Sequence, residues 1–353
     1  MKAKAKTKAV ENEANKRHAF SMANLFIAIA IIFTIALLSL GKMALADPNP
    51  SAYENWKTDF TKTIVPNVEI ISGGVIKDQI PAIDDPKFVN VDKATNLKDL
   101  EPVITLEHNG VAKAYPLQIM TWHEIVNDRV GGDAFAVTFC PLCNAALVFD
   151  ATIEGEVHSF GTTGRLRNSD LLMYDRVTES WFQQFTGEAL IGEYAGKKLK
   201  LKPSRLESWA SFKERHPDGL VLVPNRPDFR PYGRNPYVGY DARNAPYPLY
   251  TGDLPDYINP MERVVVLRKD ENASSILSLE KIRNEKILEQ DGFIITWSAG
   301  QASALSSAQI AEGKDVGNLT VQVEKNGKLV DAVHDITFAF VAHAFHPKIK
   351  IIK

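Results

Sequence analysis

The sequence predicts an α+β domain dominated by antiparallel β-sheet, with a few short helices gathered in one large body. Three observations predict it. Asn109-Gly110 and Asn326-Gly327 each separate two runs of alternating apolar residues, the pattern of tight hairpins. Most other apolar runs are short and alternate, with turn residues between them, as an antiparallel sheet needs. Helical spacing occurs only in brief pieces.

The chain begins with Lys2, Lys4, Lys6, Lys8, Lys16 and Arg17, followed by an apolar run from Leu25 to Leu40. Ala44-Leu45-Ala46 then supplies a small-x-small triplet. These are the three parts of a secretory signal. A basic flank stays in the cytoplasm, which places the bulk on the periplasmic or extracellular side. Cleavage after Ala46 would free the domain, and retention would leave one transmembrane anchor. Residues 1–46 are therefore read as signal peptide or membrane anchor, 47–67 as a linker with a short helix at Tyr53–Lys62, and 68–353 as a single globular domain.

Within that domain, Val103–Glu107 and Val111–Tyr115 form the first hairpin. Pro116 opens a helix through Asp128, where Leu117, Met120, Ile125 and Val126 share a face, and Gly131-Gly132 ends it. Strands follow at Phe135–Phe139, Ala145–Asp150, Val157–Gly161, Leu171–Tyr174 and Trp181–Phe185. Ser208–Arg215 is a short helix and Leu220–Val223 a strand. Residues 224–260 are rich in Pro, Tyr, Asn, Arg and Gly, the composition of a long functional loop. Strands at Arg263–Leu267 and Phe293–Trp297 flank a helix at Leu279–Ile287. Leu319–Lys325 and Lys328–Val333 make the second hairpin, and Thr337–Phe345 reads as a closing strand. No internal repeat is visible.

Composition narrows the function. The 353 residues carry 41 basic and 43 acidic side chains, a formal net charge of -2. That balance lacks the positive field that phosphate backbones require, so nucleic acid is excluded as a partner. Apolar residues at 45% and charged residues at 24% fit an ordinary folded domain. Only two cysteines occur, too few for a disulfide scaffold.

Both cysteines lie in Cys140-Pro141-Leu142-Cys143, with strand pattern on either side. In thioredoxin-like proteins such a motif opens a helix, whose N-terminus lowers the thiol pKa. A Cys-x-x-Cys turn between strands is instead the shape of a metal knuckle, which points two thiolates at one ion. A closed site wants further donors. His123 is the nearest in sequence, and His343 is an additional candidate on the last strand. Two thiolates and an imidazole favour copper slightly over zinc outside the cytoplasm. The expected function is thus an extracytoplasmic transition-metal site, in a metal-dependent redox enzyme or a metal carrier. Two alternatives stand beside it: a thiol–disulfide oxidoreductase using the same cysteines, and a non-enzymatic ligand-binding domain.

Two polar stretches are candidates for substrate or anion binding. Arg165, Arg167, Asn168 and Asp170 crowd one turn, where arginines could hold an anion or pair with the neighbouring aspartates. Arg234 and Tyr237 lie in the long loop, in Tyr232-Gly233-Arg234-Asn235-Pro236-Tyr237.

Several of these stretches occur together in one known pattern: Ala114-Tyr115-Pro116-Leu117-Gln118, Trp122-His123-Glu124-Ile125-Val126-Asn127-Asp128, Thr138-Phe139-Cys140-Pro141-Leu142-Cys143, Arg167-Asn168-Ser169-Asp170-Leu171 and the tyrosine loop. Gly300-Gln301-Ala302-Ser303-Ala304-Leu305 and Gly313-Lys314-Asp315-Val316-Gly317 complete it. Across roughly residues 68–347 the chain resembles the domain of unknown function 3179 family. The resemblance carries no settled activity. It implies that His123, Cys140, Cys143 and the Arg-Asn-Ser-Asp turn belong to the family pattern, and that His343 and His346 are special to this chain.

Overall fold

Stretches of β-branched and aromatic residues punctuated by left-handed turns build almost everything in this molecule. The computed structural model describes residues 55–269 and 272–353. It is 42% strand and 13% helix, with mostly antiparallel sheets. The fold is therefore predominantly β, which corrects the α+β expectation: the helices are single pieces of seven residues and form no layer of their own.

Two short strands come first, β1 (Ile70–Ser72) and β2 (Lys87–Asn90), each an edge of a sheet completed later. Next come β3 (Pro102–His108), β4 (Val111–Pro116), helix α1 (Leu117–His123), β5 (Ile125–Val130), β6 (Asp133–Cys140) and β7 (Ala145–Asp150). An inserted segment follows, with the small pair β8 (Thr152–Ile153) and β9 (Glu156–Val157), then β10 (Phe160–Arg167), β11 (Asp170–Asp175), β12 (Trp181–Gln183) and β13 (Ala189–Ile191). The chain returns through β14 (Leu201–Lys202), β15 (Arg205–Ser208), α2 (Trp209–Arg215) and β16 (Leu220–Val223). After the long loop come β17 (Arg263–Lys269), β18 (Asn272–Ser278), α3 (Leu279–Glu285), β19 (Ile287–Gln290), β20 (Phe293–Ser298), β21 (Asn318–Lys325), β22 (Lys328–Asp331), β23 (His334–Phe338), α4 (Ala339–Phe345) and β24 (Ile351–Ile352).

This order conceals a duplication. The sheet β15-β3-β4-β16 has the same connectivity as β23-β17-β18-β24, including a parallel last pair in each. Likewise β14-β7-β6-β5 matches β22-β21-β20-β19. A left-handed residue ends the first helix of each half, Glu124 at φ 60° and Lys286 at φ 66°. A His-Pro pair ends the second, with His216 at φ -134° and His346 at φ -131°. Contacts between the halves are reciprocal, β15 against β21 and β23 against β7, as a two-fold relation requires. Ile104, Tyr115, Met120 and Phe139 pack with Val265, Leu277, Ile295 and Trp297 in one shared core. Each such side chain contributes roughly 1.5–3 kcal/mol by leaving water, so the shared core joins the two halves. The expectation of no internal repeat is overturned: the halves share an apolar pattern and turn geometry, while the inserted β8–β13 segment breaks the period.

Two other elements differ from expectation for local reasons. Helix α1 stops at His123, because Glu124 turns left-handed and Ile125 and Val126 pair with Thr138 and Val137 of β6. Gly131-Gly132 is then a hairpin turn. A side chain on Gly131 would come within 2.5 Å of the His108 carbonyl oxygen, so only glycine fits there. At the C-terminus the strand ends at Phe338, and the alanine-rich Ala339–Phe345 coils into α4.

Trp56, Phe60 and Val65 pack on the inserted sheet, and the described part of the helix expected at Tyr53–Lys62 is not helical. Among the described residues no helix is long and apolar enough to cross a membrane. The apolar N-terminal segment lies outside the described residues.

Candidate metal centre

β6 delivers Cys140 as its last residue, and β7 begins at Ala145. Between them the Cys143 N–H donates to the Cys140 carbonyl at 3.2 Å, and the Asn144 N–H to the Pro141 carbonyl at 3.2 Å. Asn144 takes φ 53°, a position asparagine tolerates better than most residues. This knuckle is the turn between strands that the sequence suggested. Both thiols donate to one carbonyl oxygen, that of Ser169, at 3.9 Å from Cys140 and 3.5 Å from Cys143.

The third member comes from the inserted sheet. Asn168 and Ser169, both left-handed at φ 53° and 65°, turn β10 into β11, and Asp170 follows them into full burial. Its Oδ2 accepts from Gln183 Nε2 at 2.6 Å and from the Phe185 N–H at 2.9 Å. Its Oδ1 is buried with no hydrogen-bond partner. One donor atom from each of Cys140, Cys143 and Asp170 lies within 4.8 Å of the others. Donors on a tetrahedral zinc ion sit roughly 3.3–3.8 Å apart, so little contraction would close the group on a metal.

Electrostatics points the same way. Burial pushes both thiols up, Cys143 the further of the two. Burial also lifts Asp170 to about 6, against the pull of its Phe185 and Gln183 hydrogen bonds. Glu124 is raised to about 8 by burial and then by the Asp170 charge. Acidic groups gathered in a dry place, with one carboxylate oxygen unsatisfied, fit a cation.

Every part of the fold helps to build the walls. From the second half, Thr337 Oγ1 donates to the Cys143 carbonyl at 2.8 Å. From the long loop, the Tyr240 hydroxyl donates to the Leu142 carbonyl at 3.0 Å. The same loop brings Tyr237 close enough to Glu124 and Cys140 for their charges to raise its pKa, after burial. Gln184 Nε2 holds Thr138 Oγ1 at 2.8 Å and the Ala145 carbonyl at 3.2 Å, bracing the knuckle from behind.

The structure brings Cys140, Cys143 and Asp170 together and leaves the histidines elsewhere. Both ring nitrogens of His123 are engaged: Nδ1 lies 2.7 Å from the Pro81 carbonyl and Nε2 2.8 Å from the Tyr232 hydroxyl. His343 is half-buried on α4, outside the group. The anion-binding candidates are also dispersed in role. Arg167 Nε is paired with Glu69 at 2.7 Å. Arg165 is buried on β10, and Asn168 forms the turn. Arg234 sits exposed in the loop, its carbonyl accepting from Trp122 Nε1. Asp170 and Glu124 are the members that sequence reasoning did not assign to the metal. Their proximity depends on non-local strand pairing, which no spacing in the sequence announces.

A family model described as "Protein of unknown function (DUF3179)" matches residues 77–349, and the chain belongs to that family. No curated protein and no solved structure matches it.

Proposed function

We propose that this member of the family is a zinc-binding domain held on the outer side of a membrane, with Cys140, Cys143 and Asp170 as the protein ligands. The carrying observation is the buried trio of donor atoms within 4.8 Å, two thiols and the Asp170 carboxylate. The carboxylate shifts the choice of metal. An imidazole beside two thiolates would suit copper, whereas a hard oxygen donor suits zinc better. Three protein donors leave one position for a small molecule, the arrangement of catalytic rather than closed structural sites. A zinc ion there would supply Lewis-acid polarisation. Glu124, raised by burial and then by the Asp170 charge, is a second buried carboxyl beside the site.

The same observations weigh against thiol–disulfide exchange. An exchanging thiol needs access, and these two are buried. The placement outside the membrane rests on the basic flank, apolar run and small-x-small triplet of residues 1–46.

Metal analysis by mass spectrometry tests the reading. The full chain, purified untagged in detergent under reducing conditions, should carry about one zinc per chain. Cys140→Ser/Cys143→Ser should carry none. A wild-type chain that stays metal-free after reconstitution with zinc and with copper refutes the proposal.

A further inference from the structure

Away from the knuckle, a cleft of about 610 Å3 opens between α1, the end of β16 and residues 93–97. That volume suits a small organic molecule. Four prolines line it, Pro116, Pro224, Pro227 and Pro231, together with Ile119 and Leu222. Its charged lining is one-sided, with Lys93 and Arg230 and no aspartate or glutamate. Arg230 donates one NH2 bond to the Gln79 carbonyl at 3.3 Å, and its Nε is buried with no protein partner.

Tyr232 shows where an anion would not sit. A carbonyl can only accept, so the Pro81 oxygen fixes the proton of His123 on Nδ1. Nε2 is then an acceptor, and the Tyr232 hydroxyl must donate to it. The Tyr232 hydroxyl therefore has no proton left to offer an anion. The cationic side, at Arg230 and Lys93, is the remaining place for negative charge.

We propose that this cleft binds a small organic anion with a flat apolar body, its charge on Arg230 and Lys93 and its body against the prolines. The site is separate from the metal centre, and its occupant is an aromatic or alicyclic carboxylate rather than a peptide or a lipid surface.

Calorimetric titration of the full chain in detergent with 2-naphthoate, and with the uncharged 2-naphthylmethanol, tests this, with empty micelles as the blank. One saturable naphthoate site per chain is expected. Arg230→Gln should weaken naphthoate at least 10-fold and naphthylmethanol less than 3-fold, a gap of at least about 3-fold set by charge. The exposed Lys93→Gln, which poses little risk to folding, should act in the same direction. Carboxylates also bind zinc, so Cys140→Ser/Cys143→Ser is the deciding control, and naphthoate binding should survive it. The proposal is overturned if naphthoate fails to saturate, if Arg230→Gln and Lys93→Gln leave it unchanged, or if its binding disappears with the cysteines.

Discussion

Asp170 separates a metal centre from a pair of buried thiols. In the metal-free chain its carboxyl is a liability, dry and half-satisfied, with Oδ1 unpartnered. In the loaded chain the same carboxylate is a ligand. Asp170→Asn, which keeps shape and removes charge, should therefore have opposite effects on the two forms. Thermal unfolding of the metal-free variant should match or exceed wild type, and that of the zinc-loaded variant should fall below it. Chelator competition should show zinc affinity lowered at least about 100-fold, since even second-shell partners account for 10–100-fold. Gln183→Leu supplies that comparison, because Gln183 holds Oδ2 without being a ligand. Equal stability changes with and without zinc would show that Asp170 is only structural. The sequence disclosed half of this centre. Cys140 and Cys143 announce themselves, being three apart between strand patterns. Asp170 does not, because Arg167-Asn168-Ser169-Asp170 reads as any ion-paired turn until its sheet is placed beside the knuckle. His123 was the plausible neighbour in sequence, but the end of its helix directs the ring to Tyr232.

At the scale of elements, the hairpins were the legible part. Asn-Gly dipeptides and period-two patterns fix both Asn-Gly hairpins and the knuckle strands within a residue or two. Errors fell where one apolar run changes conformation midway, at Glu124 and at Phe338, because helical and strand periodicities agree over so few residues. Two elements invite tests. The turn Asn168-Ser169 offers the thiols only a backbone carbonyl, while Ser169 Oγ is buried without a partner. Ser169→Gly should relieve the left-handed strain and raise stability by up to about 1 kcal/mol in chemical denaturation, with zinc content unchanged. Loss of zinc would show that the hydroxyl matters at the site. The end of α4 carries an acid-sensitive group. Burial, and then the Arg268 and Lys198 charges, depress His346 from 6.5 to about 4. A lowered histidine pKa means that the fold prefers the neutral ring. This contribution is full above pH 6.5 and is lost as pH falls toward 4. His346→Phe should flatten that part of the stability–pH curve, and an unchanged acid limb would place the sensitivity elsewhere.

For the whole molecule, the duplication explains why a single centre draws on so many segments. Register pairs Ile125 with Thr138 and Ile287 with Thr296, so Cys140 of the first half corresponds to Ser298 of the second. Where the first half has a four-residue knuckle, the second has the long stretch 299–317 and no cysteine. What the second half keeps is support. Repetition was invisible in the sequence because the halves share burial pattern rather than residue identity, and because the inserted β8–β13 segment supplies Asp170 while disrupting the period. A buried ion pair of the second half reaches that insertion, beside the ring contacts of Phe185 with Phe345 and His346. Arg268 of β17 donates from Nε to Asp335 of β23 at 2.7 Å, and from NH2 to the Phe185 carbonyl at 3.2 Å. The Phe185 N–H in turn holds Asp170. Both charges are essentially fully buried. Removing only the arginine strands the aspartate, at a cost of about 3–5 kcal/mol, whereas replacing both with apolar side chains can be neutral or favourable. Arg268→Met should therefore lower the denaturation free energy by that amount, and Arg268→Met/Asp335→Leu should recover most of it. Zinc affinity discriminates further. The double variant restores stability but not the hydrogen bond to Phe185, so it should still bind zinc more weakly than wild type. If stability and affinity recover together, Arg268 acts on the centre only through folding. If stability recovers and affinity does not, the second half positions Asp170 through the Phe185 peptide.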